Sequence, residues 1–502
     1  MSESALWLGV DVGTQGVKVS VVDGLGLVHA AASAPLTSDR ASGRHEQSPE
    51  EWIRQTRIAM AEALGSLTEV DRARISGVAV CATSGTITTV DVAGRPLSPG
   101  LMYDDARAGA LSEEVAAADP ALWRRLGYRI QPTWALPKIV WLTRNNLLPV
   151  GTRVATQADI VTAAVIGRAV ASDWSHSLKS GYDLLELGWP TAALDQLGID
   201  PERLPTVVAP GSVLGESSAA WHTATGLPAG TPIFAGMTDG CAAQLGAGTL
   251  GLGDWHTVIG TTLVVKGVSD RIVVDDTGAV YSHRAPHDGF WFPGGASNVG
   301  AGAVSALFAG DDLVARTGRV SQSYAGRLDA IPTSYPLVTT GERFPVIRPD
   351  AQGYVREAGV DHPLTDANAQ GLDHDALFAS ILLGVACVER LAVETMSGAG
   401  VPVTGTFSSS GGGTKNGWWT QLRADLLGRA ITVPVSAEGS IGMAILAAWA
   451  AGPDSAESLP AVATRMSLVG NVFEPDVTRS AQLDDCYDVF HSDLVAKGWL
   501  DA

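Results

Sequence analysis

The chain has 502 residues, which argues for more than one domain, and its 46% apolar and 17% charged residues are those of a globular protein with large cores. Its net charge of −19, from 53 acidic against 34 basic residues, repels nucleic acid and anionic membranes. Neutral small molecules and cation-screened anions meet no such barrier, and four scattered cysteines (Cys81, Cys241, Cys387 and Cys486) exclude a disulfide framework or a thiolate metal centre.

Leu6-Trp7-Leu8-Gly9-Val10 enters an apolar strand pattern at once, with no basic leader and no expected membrane span. The cytoplasm is therefore the expected location. Residues 6 to 12 and 17 to 23 alternate valine with polar residues around a Gly13-Thr14-Gln15-Gly16 turn, which predicts a β-hairpin. Ser48-Pro49-Glu50-Glu51 is a capping-box pattern, so a helix should follow with Ile53, Met60 and Leu64 on one face. Ile75 to Ala82 reads as a buried strand ending at Thr83-Ser84-Gly85-Thr86. Pro137 to Asn146 opens another helix. A second hairpin, Trp255 to Gly267, repeats the first as strand, Gly260-Thr261, strand, which suggests an internal duplication. Residues 340 to 375 look like an irregular insertion. Phe378 to Met396 and Ser440 to Ala451 are long helices, the second rich in alanine. Strand and helix alternation argues an α/β fold. The expected domains are 1–250 and 251–475, with 476–502 as a tail lacking any glycine-rich or catalytic pattern.

A tight Gly-Thr turn between strands presents backbone N–H groups that suit phosphate oxygens. Asp11, at the end of the first strand, can hold hydrated magnesium, and Lys18 can offset phosphate charge. An ordinary hairpin with Asp11 as a turn former reads equally well from these residues alone. Asp239 follows the apolar strand Pro232-Ile233-Phe234-Ala235 and is flanked by Gly236 and Gly240. A helix starting there aims its positive end at an anion, and a carboxylate suits the hydroxyl proton of an alcohol acceptor. The alternative is a plain N-cap. Gly411-Gly412-Gly413-Thr414-Lys415-Asn416 precedes a helix and lets backbone approach a flat ring or a phosphate. Tyr103-Asp104-Asp105-Ala106-Arg107 and Ser172-Asp173-Trp174-Ser175 have the composition of a sugar-binding loop, and also of a solvated surface loop. The ten histidines form no metal-binding pattern.

Taken in order, these segments resemble the FGGY carbohydrate kinases, of the superfamily of sugar kinases, actin and chaperone ATPases. The resemblance runs from about residue 6 to about residue 452. Glu46-Gln47-Ser48-Pro49-Glu50-Glu51-Trp52 and Lys138-Ile139-Val140-Trp141-Leu142 are similar to family signatures. Cys81-Ala82-Thr83-Ser84-Gly85-Thr86, Val280-Tyr281-Ser282-His283, Gly294-Gly295-Ala296-Ser297-Asn298 and Gly341-Glu342-Arg343-Phe344-Pro345 look closest to its D-ribulose kinase-like and xylulose kinase-like branch. Tyr103 stands where the family usually has tryptophan, and His176 where many pentulose kinases carry asparagine.

The resemblance implies two ribonuclease H-like domains with a cleft between them, and an ATP- and Mg2+-dependent kinase acting on a small sugar, as a monomer or homodimer. It implies Asp239 as the base and Asp11, Ser84, Asp105, Arg107 and Asp239 around the sugar. Asp11 and Asp239 would approach the metal. Gly13, Thr14, Gln15, Lys18, Gly260, Thr261 and Thr262 would face ATP phosphates, and Gly411, Gly412, Gly413 and Asn416 would border adenosine. D-ribulose is the expected substrate, with xylulose, ribitol, erythritol and glycerol as rivals. A nucleotide-binding regulator without catalysis is the rival of another class. A dinucleotide-dependent oxidoreductase is excluded, because no strand is followed by GxGxxG and a downstream acidic residue.

Overall fold

The computed structural model describes residues 5–501 except 276, 288, 358, 366–372 and 453–456. In chain order, the elements that carry the argument are β1 (Leu6–Val12), β2 (Gly16–Asp23), α1 (Pro49–Gly65), β3 (Ile75–Ala82), α2 (Ala135–Arg144), α3 (Asp239–Gly246), β4 (Trp255–Ile259), β5 (Leu263–Gly267), β6 (Trp291–Ser297), α4 (His374–Gly398), β7 (Phe407–Ser410), α5 (Gly417–Leu427), α6 (Gly439–Ala450) and α7 (Val477–Ala496). The chain divides into two compact units. The first holds Met1–Leu250, His283–Trp291 and Ser436–Leu468, and the second holds Gly251–Ser282, Phe292–Val435 and Val469–Ala502.

The first unit is built on a six-stranded sheet ordered Val213–Glu216, Pro232–Phe234, β3, β1, β2, Val28–Pro35. β1 pairs antiparallel with β2 and parallel with β3, in the hairpin-then-crossover pattern that valine alternation leads one to expect. Every residue of β1 but Asp11 is buried, because helices cover both of its faces. α1 starts where Ser48 accepts the Glu51 N–H, although the Glu51 carboxylate bonds Arg54 and Gln55 instead of completing the box. Its Met60 and Leu64 are buried as the spacing requires, and Ile53 is half-buried. On the other face lies α6. A Cβ at Gly9 would collide with the Ser440 carbonyl, and one at Gly442 with the Ala242 carbonyl. Helix and strand therefore meet backbone to backbone.

The second unit repeats this scheme on a seven-stranded sheet ordered Tyr281–Arg284, β6, β5, β4, β7, Ile431–Pro434, Val469–Phe473. β4 is antiparallel to β5 and parallel to β7, as β1 is to β2 and β3. α4 is long and apolar enough to cross a membrane, but it is a core helix, buried from Leu377 to Met396 apart from a few positions.

Residues 439–450, which the sequence reading places with the second domain, pack in the first unit, where the glycines of α6 allow close approach to β1 and α3. In the stretch expected as a C-terminal tail, α7 buries Leu483, Tyr487, Phe490 and Leu494 in the second unit's core. Of the stretch 340–375, residues 358 and 366–372 lie outside the described residues.

Candidate active site

In the first unit the end of β1 brings Asp11 opposite Lys18 on β2 and Cys81 on β3. Burial is the main cause that raises Asp11 to about 6, with further contributions from Asp239 and Glu438 against the Cys81 thiol and Lys18. Its Oδ1 is buried and has no hydrogen-bond partner. On the other side, a Cβ at Gly439 would lie 2.8 Å from Asp11 Oδ2 and 3.0 Å from Cys81 Sγ. Only glycine lets the start of α6 come so close. Glu438 caps no helical N–H and instead receives Lys18 Nζ at 2.8 Å.

Asp239 is the first residue of α3. The N-cap position belongs to Thr238, whose hydroxyl lies 3.2 Å from Ser175 Oγ and makes no cap bond. The plain N-cap alternative for Asp239 therefore does not describe this helix. Asp239 Oδ1 takes the Gly240 N–H at 2.7 Å. Ser84 sits on the turn after β3, its Oγ buried without a partner. Thr83 and Thr86 hydroxyls lock that turn at 2.6 Å, and Gln157 accepts from Thr83. Lys138, wholly buried on α2, donates to Gly85 O at 3.1 Å and Met102 O at 2.5 Å, tying two neighbouring loops together. Tyr103, on the second of these loops, is partly exposed, within hydrogen-bonding reach of Thr14 and close enough to feel the Asp239 charge.

Two expected sugar ligands are placed otherwise. Asp105 is fully buried, with both oxygens occupied by His45 N–H and by the Arg107 backbone and guanidinium. Arg107 also pairs with Glu46 at 2.6 Å and lies over the Trp141 ring. The pair holds its loop and presents no open hydrogen-bonding oxygen. The Ser172-to-Ser175 cluster is likewise internal: Asp173 grips His176 through its N–H at 2.9 Å and its ring at 2.5 Å. Glu438 is a residue that composition did not single out. The signal for Glu438 is a carboxylate directly before the small-residue run Gly439-Ser440-Ile441-Gly442.

In the first unit's turn, Gly13 N–H closes on Gly16 O at 3.0 Å, with Thr14 half-buried and Gln15 exposed. In the second unit's turn, Gly260 N–H bonds Thr262 O, and the Gly260 and Thr261 carbonyls receive Ala301 and Gly302 N–H. Of the glycine triplet, Gly411 (φ +93°) and Gly413 abut Ile259, whereas Gly412 faces open space. Asn416 is engaged at both ends: Oδ1 caps α5 at Trp419 N–H, and Nδ2 donates to Thr317. These bonds fix the Asn416 side chain at the start of α5.

Beneath this half lie His256 on β4 and Ser408 and Ser410 on β7, bonded at 2.7 and 3.1 Å. Burial first, then the charges of Lys266 and Arg423, lower His256 to about 3. The native state keeps it neutral, whereas the unfolded chain takes a proton near its ordinary value. Its stabilisation is full above about pH 6.5 and is lost as pH falls toward 3, at about 1.4 kcal/mol per pH unit. Thermal unfolding of His256→Asn between pH 7 and 4.5 should show an acid slope shallower by one proton. Equal slopes would mean that His256 titrates in the native protein.

Two units with the same hairpin-and-crossover sheet, each carrying a Gly-Thr turn, define the two-domain actin-like ATPase fold of sugar kinases. The xyloylose kinase structure from Brucella ovis has this fold, with a TM-score of 0.86 at 24% identity over 99% of this chain and 100% of that one. The models for the N-terminal and C-terminal domains of the FGGY family of carbohydrate kinases match residues 6–246 and 256–451. The chain belongs to the FGGY family of carbohydrate kinases. It is similar to the xylulose kinase of Escherichia coli (strain K12), 26% identical over 95% of this chain and 96% of that one. It is also similar to the xylulose kinase of Streptomyces coelicolor, 29% identical over 92% and 91%. It is thus a sugar kinase, a phosphotransferase that uses ATP as donor and an alcohol group as acceptor.

Proposed function

We propose that the chain transfers the γ-phosphoryl group of ATP to the terminal primary hydroxyl of a ketopentose. The observation that carries this reading is the pair of buried, unpartnered oxygens, Asp11 Oδ1 and Ser84 Oγ, in the unit where Asp239 opens a helix. Buried polar atoms without partners are costly, and a ligand's hydroxyls supply the missing bonds. In this reading the sugar oxygen attacks the γ-phosphorus, the bond from phosphorus to the leaving ADP oxygen breaks, and the hydroxyl proton passes to the Asp239 carboxylate. Asp11 and Ser84 orient the sugar, joined by Tyr103. Gly13, Thr14 and Lys18 serve the phosphates, as do Gly260, Thr261 and Thr262. Gly411, Gly412 and Gly413 give adenosine a flat approach.

Magnesium fits the donor set. The Asp239 charge adds to the cost of ionising Asp11, which a divalent cation would relieve, and two carboxylates suit an ion that keeps most of its water. When bound, it would spread and neutralise phosphate charge.

D-xylulose leads as the sugar, because the Escherichia coli and Streptomyces coelicolor relatives that span nearly the whole chain are named for it. D-ribulose is the second reading, favoured by the short segments around Ser84, His283, Ser297 and Glu342. A coupled ADP-release assay on D-xylulose, D-ribulose, L-ribulose, ribitol and glycerol decides between them. A ribulose efficiency about tenfold above xylulose, about 1.4 kcal/mol of transition-state preference, reverses the order. Absence of turnover on every ketopentose defeats the reading itself.

The division of labour is testable. Ser84→Ala should raise the sugar KM by the roughly 0.5–1.5 kcal/mol of one neutral hydrogen bond and leave ATP unaffected. Thr261→Val should raise the ATP KM and leave sugar preference unchanged. Both variants acting on one substrate would refute the assignment.

A further inference from the structure

The segment Gly341-Glu342-Arg343-Phe344-Pro345 opens the irregular stretch to which the sequence gives no role. Glu342 is 3% exposed and its carboxylate collects five donors. Oε2 accepts the Ser297 hydroxyl at 2.7 Å and the Tyr335 hydroxyl at 3.1 Å. Oε1 accepts the N–H groups of Asn298 at 2.8 Å, Arg343 at 2.8 Å and Phe344 at 3.4 Å. Asn298 Nδ2 returns a bond to Gly341 O at 2.9 Å. The carboxylate cannot drift, because Tyr335 is stacked on Phe490 and edge-on to Trp499 in the core, and Glu342 itself exchanges two backbone bonds with Arg348.

Ser297 and Asn298 are the root of a short loop that lies on the Gly260–Thr262 turn. Leu263 N–H donates to Val299 O at 2.6 Å, Ala301 N–H to Gly260 O at 2.8 Å and Gly302 N–H to Thr261 O at 3.1 Å. The approach is close enough that a Cβ on Gly300 or Gly302 would lie 2.6 or 2.8 Å from Thr261 O. These bonds occupy the turn's carbonyls. No acceptor is found among the described residues for the Thr261 or Thr262 N–H groups.

An amide or an apolar side chain would fill the same space without the cost of burying a charge. What a carboxylate adds is acceptor strength, directed at the root of the loop that shapes the turn. We propose that Glu342 is a positioning residue for the ATP phosphates: through Ser297 and Asn298 it fixes the 299–302 loop, which holds Gly260 and Thr261 so that their neighbours' N–H groups stay open to phosphate. This rests on the assignment of Gly260–Thr262 as the phosphate turn.

The test uses the full chain and compares calorimetric titrations with ADP and with adenosine. Glu342→Gln keeps the shape and weakens the acceptor, and Ser297→Ala removes one donor and leaves the carboxylate in place should Glu342→Gln fold poorly. ADP affinity is expected to fall about tenfold, the size of one charge-assisted hydrogen bond, in Glu342→Gln and by less in Ser297→Ala. Adenosine affinity and the sugar KM should stay within about twofold, since neither involves the phosphates. Loss of ADP and adenosine binding in equal measure, or no change in either with both variants, overturns the positioning role. Thr261→Glu, which sets a negative charge on the exposed face of the turn, separates the two claims. If it weakens ADP while Glu342→Gln and Ser297→Ala do not, the positioning role alone falls. If Thr261→Glu leaves ADP affinity unchanged, the phosphate-turn assignment falls and takes the positioning role with it.

Discussion

Asp239→Asn should lower kcat by ~10²–10⁴-fold or more, the usual worth of a general base, while ADP and sugar still bind. The substitution is close to a pure removal of basicity. Thr238, not Asp239, occupies the N-cap, so helix α3 does not depend on the carboxylate for capping. An asparagine Oδ1 can also keep the bond from Gly240 N–H. A second effect accompanies the first. The Asp239 charge is the next largest cause, after burial, of the raised Asp11 value, so Asp11 should titrate lower in the variant. The checks are ADP release in a coupled assay and calorimetric binding of ADP and sugar. Turnover within a few-fold of the parent would make Asp239 a structural residue.

Glu389→Leu should cost about 3–5 kcal/mol of stability, because it strands a buried guanidinium. Arg423 and Glu389 are both wholly buried and joined by two bonds of 2.6 Å. Arg423 also donates to Thr257 on β4 and Ser409 on β7 at 2.8 Å. Its Nη1 already lacks a partner, so nothing nearby can take over from the lost carboxylate. A loss of that size is a large share of the roughly 5–15 kcal/mol that holds a domain folded. The double variant Glu389→Leu/Arg423→Met should recover most of it, since apolar replacement of both partners removes the stranded charge. Denaturant unfolding of the single and double variants measures the difference. Equal losses in both would show that the cost is one of packing.

Much of this molecule is legible in its sequence because local rules and global fold agree. Valine alternation around Gly13-Thr14 and Gly260-Thr261 gives both hairpins, and Ser48 and Pro49 give the start of α1. Asp11 and Asp239 stand out as carboxylates at a strand end and a helix start with glycine beside them. What is not legible depends on distant partners. Nothing local in Asp105 and Arg107 says that they will neutralise each other, beside Glu46. Asn416 caps α5 at Trp419, but its bond to Thr317 reaches a partner its own segment does not announce. Glu438 joins Asp11 only because α6 returns to β1 from far along the chain. In α7, Leu483, Tyr487, Phe490 and Leu494 carry a helical repeat in plain view, but a search for chemistry passes over it.

The return of α6 also dictates when the first unit can exist. Ser20 and Ser440 share a 2.8 Å hydrogen bond across 420 residues, and Gly9 is shaped to receive a helix made long after it. While the ribosome works through the second unit, the apolar backs of β1 and β3 have no cover. That interval is when an unfinished chain is open to aggregation and to chaperone capture. Residues 1–250 cut free of the rest would keep this bare face permanently, so they are an incomplete half and not a portable domain.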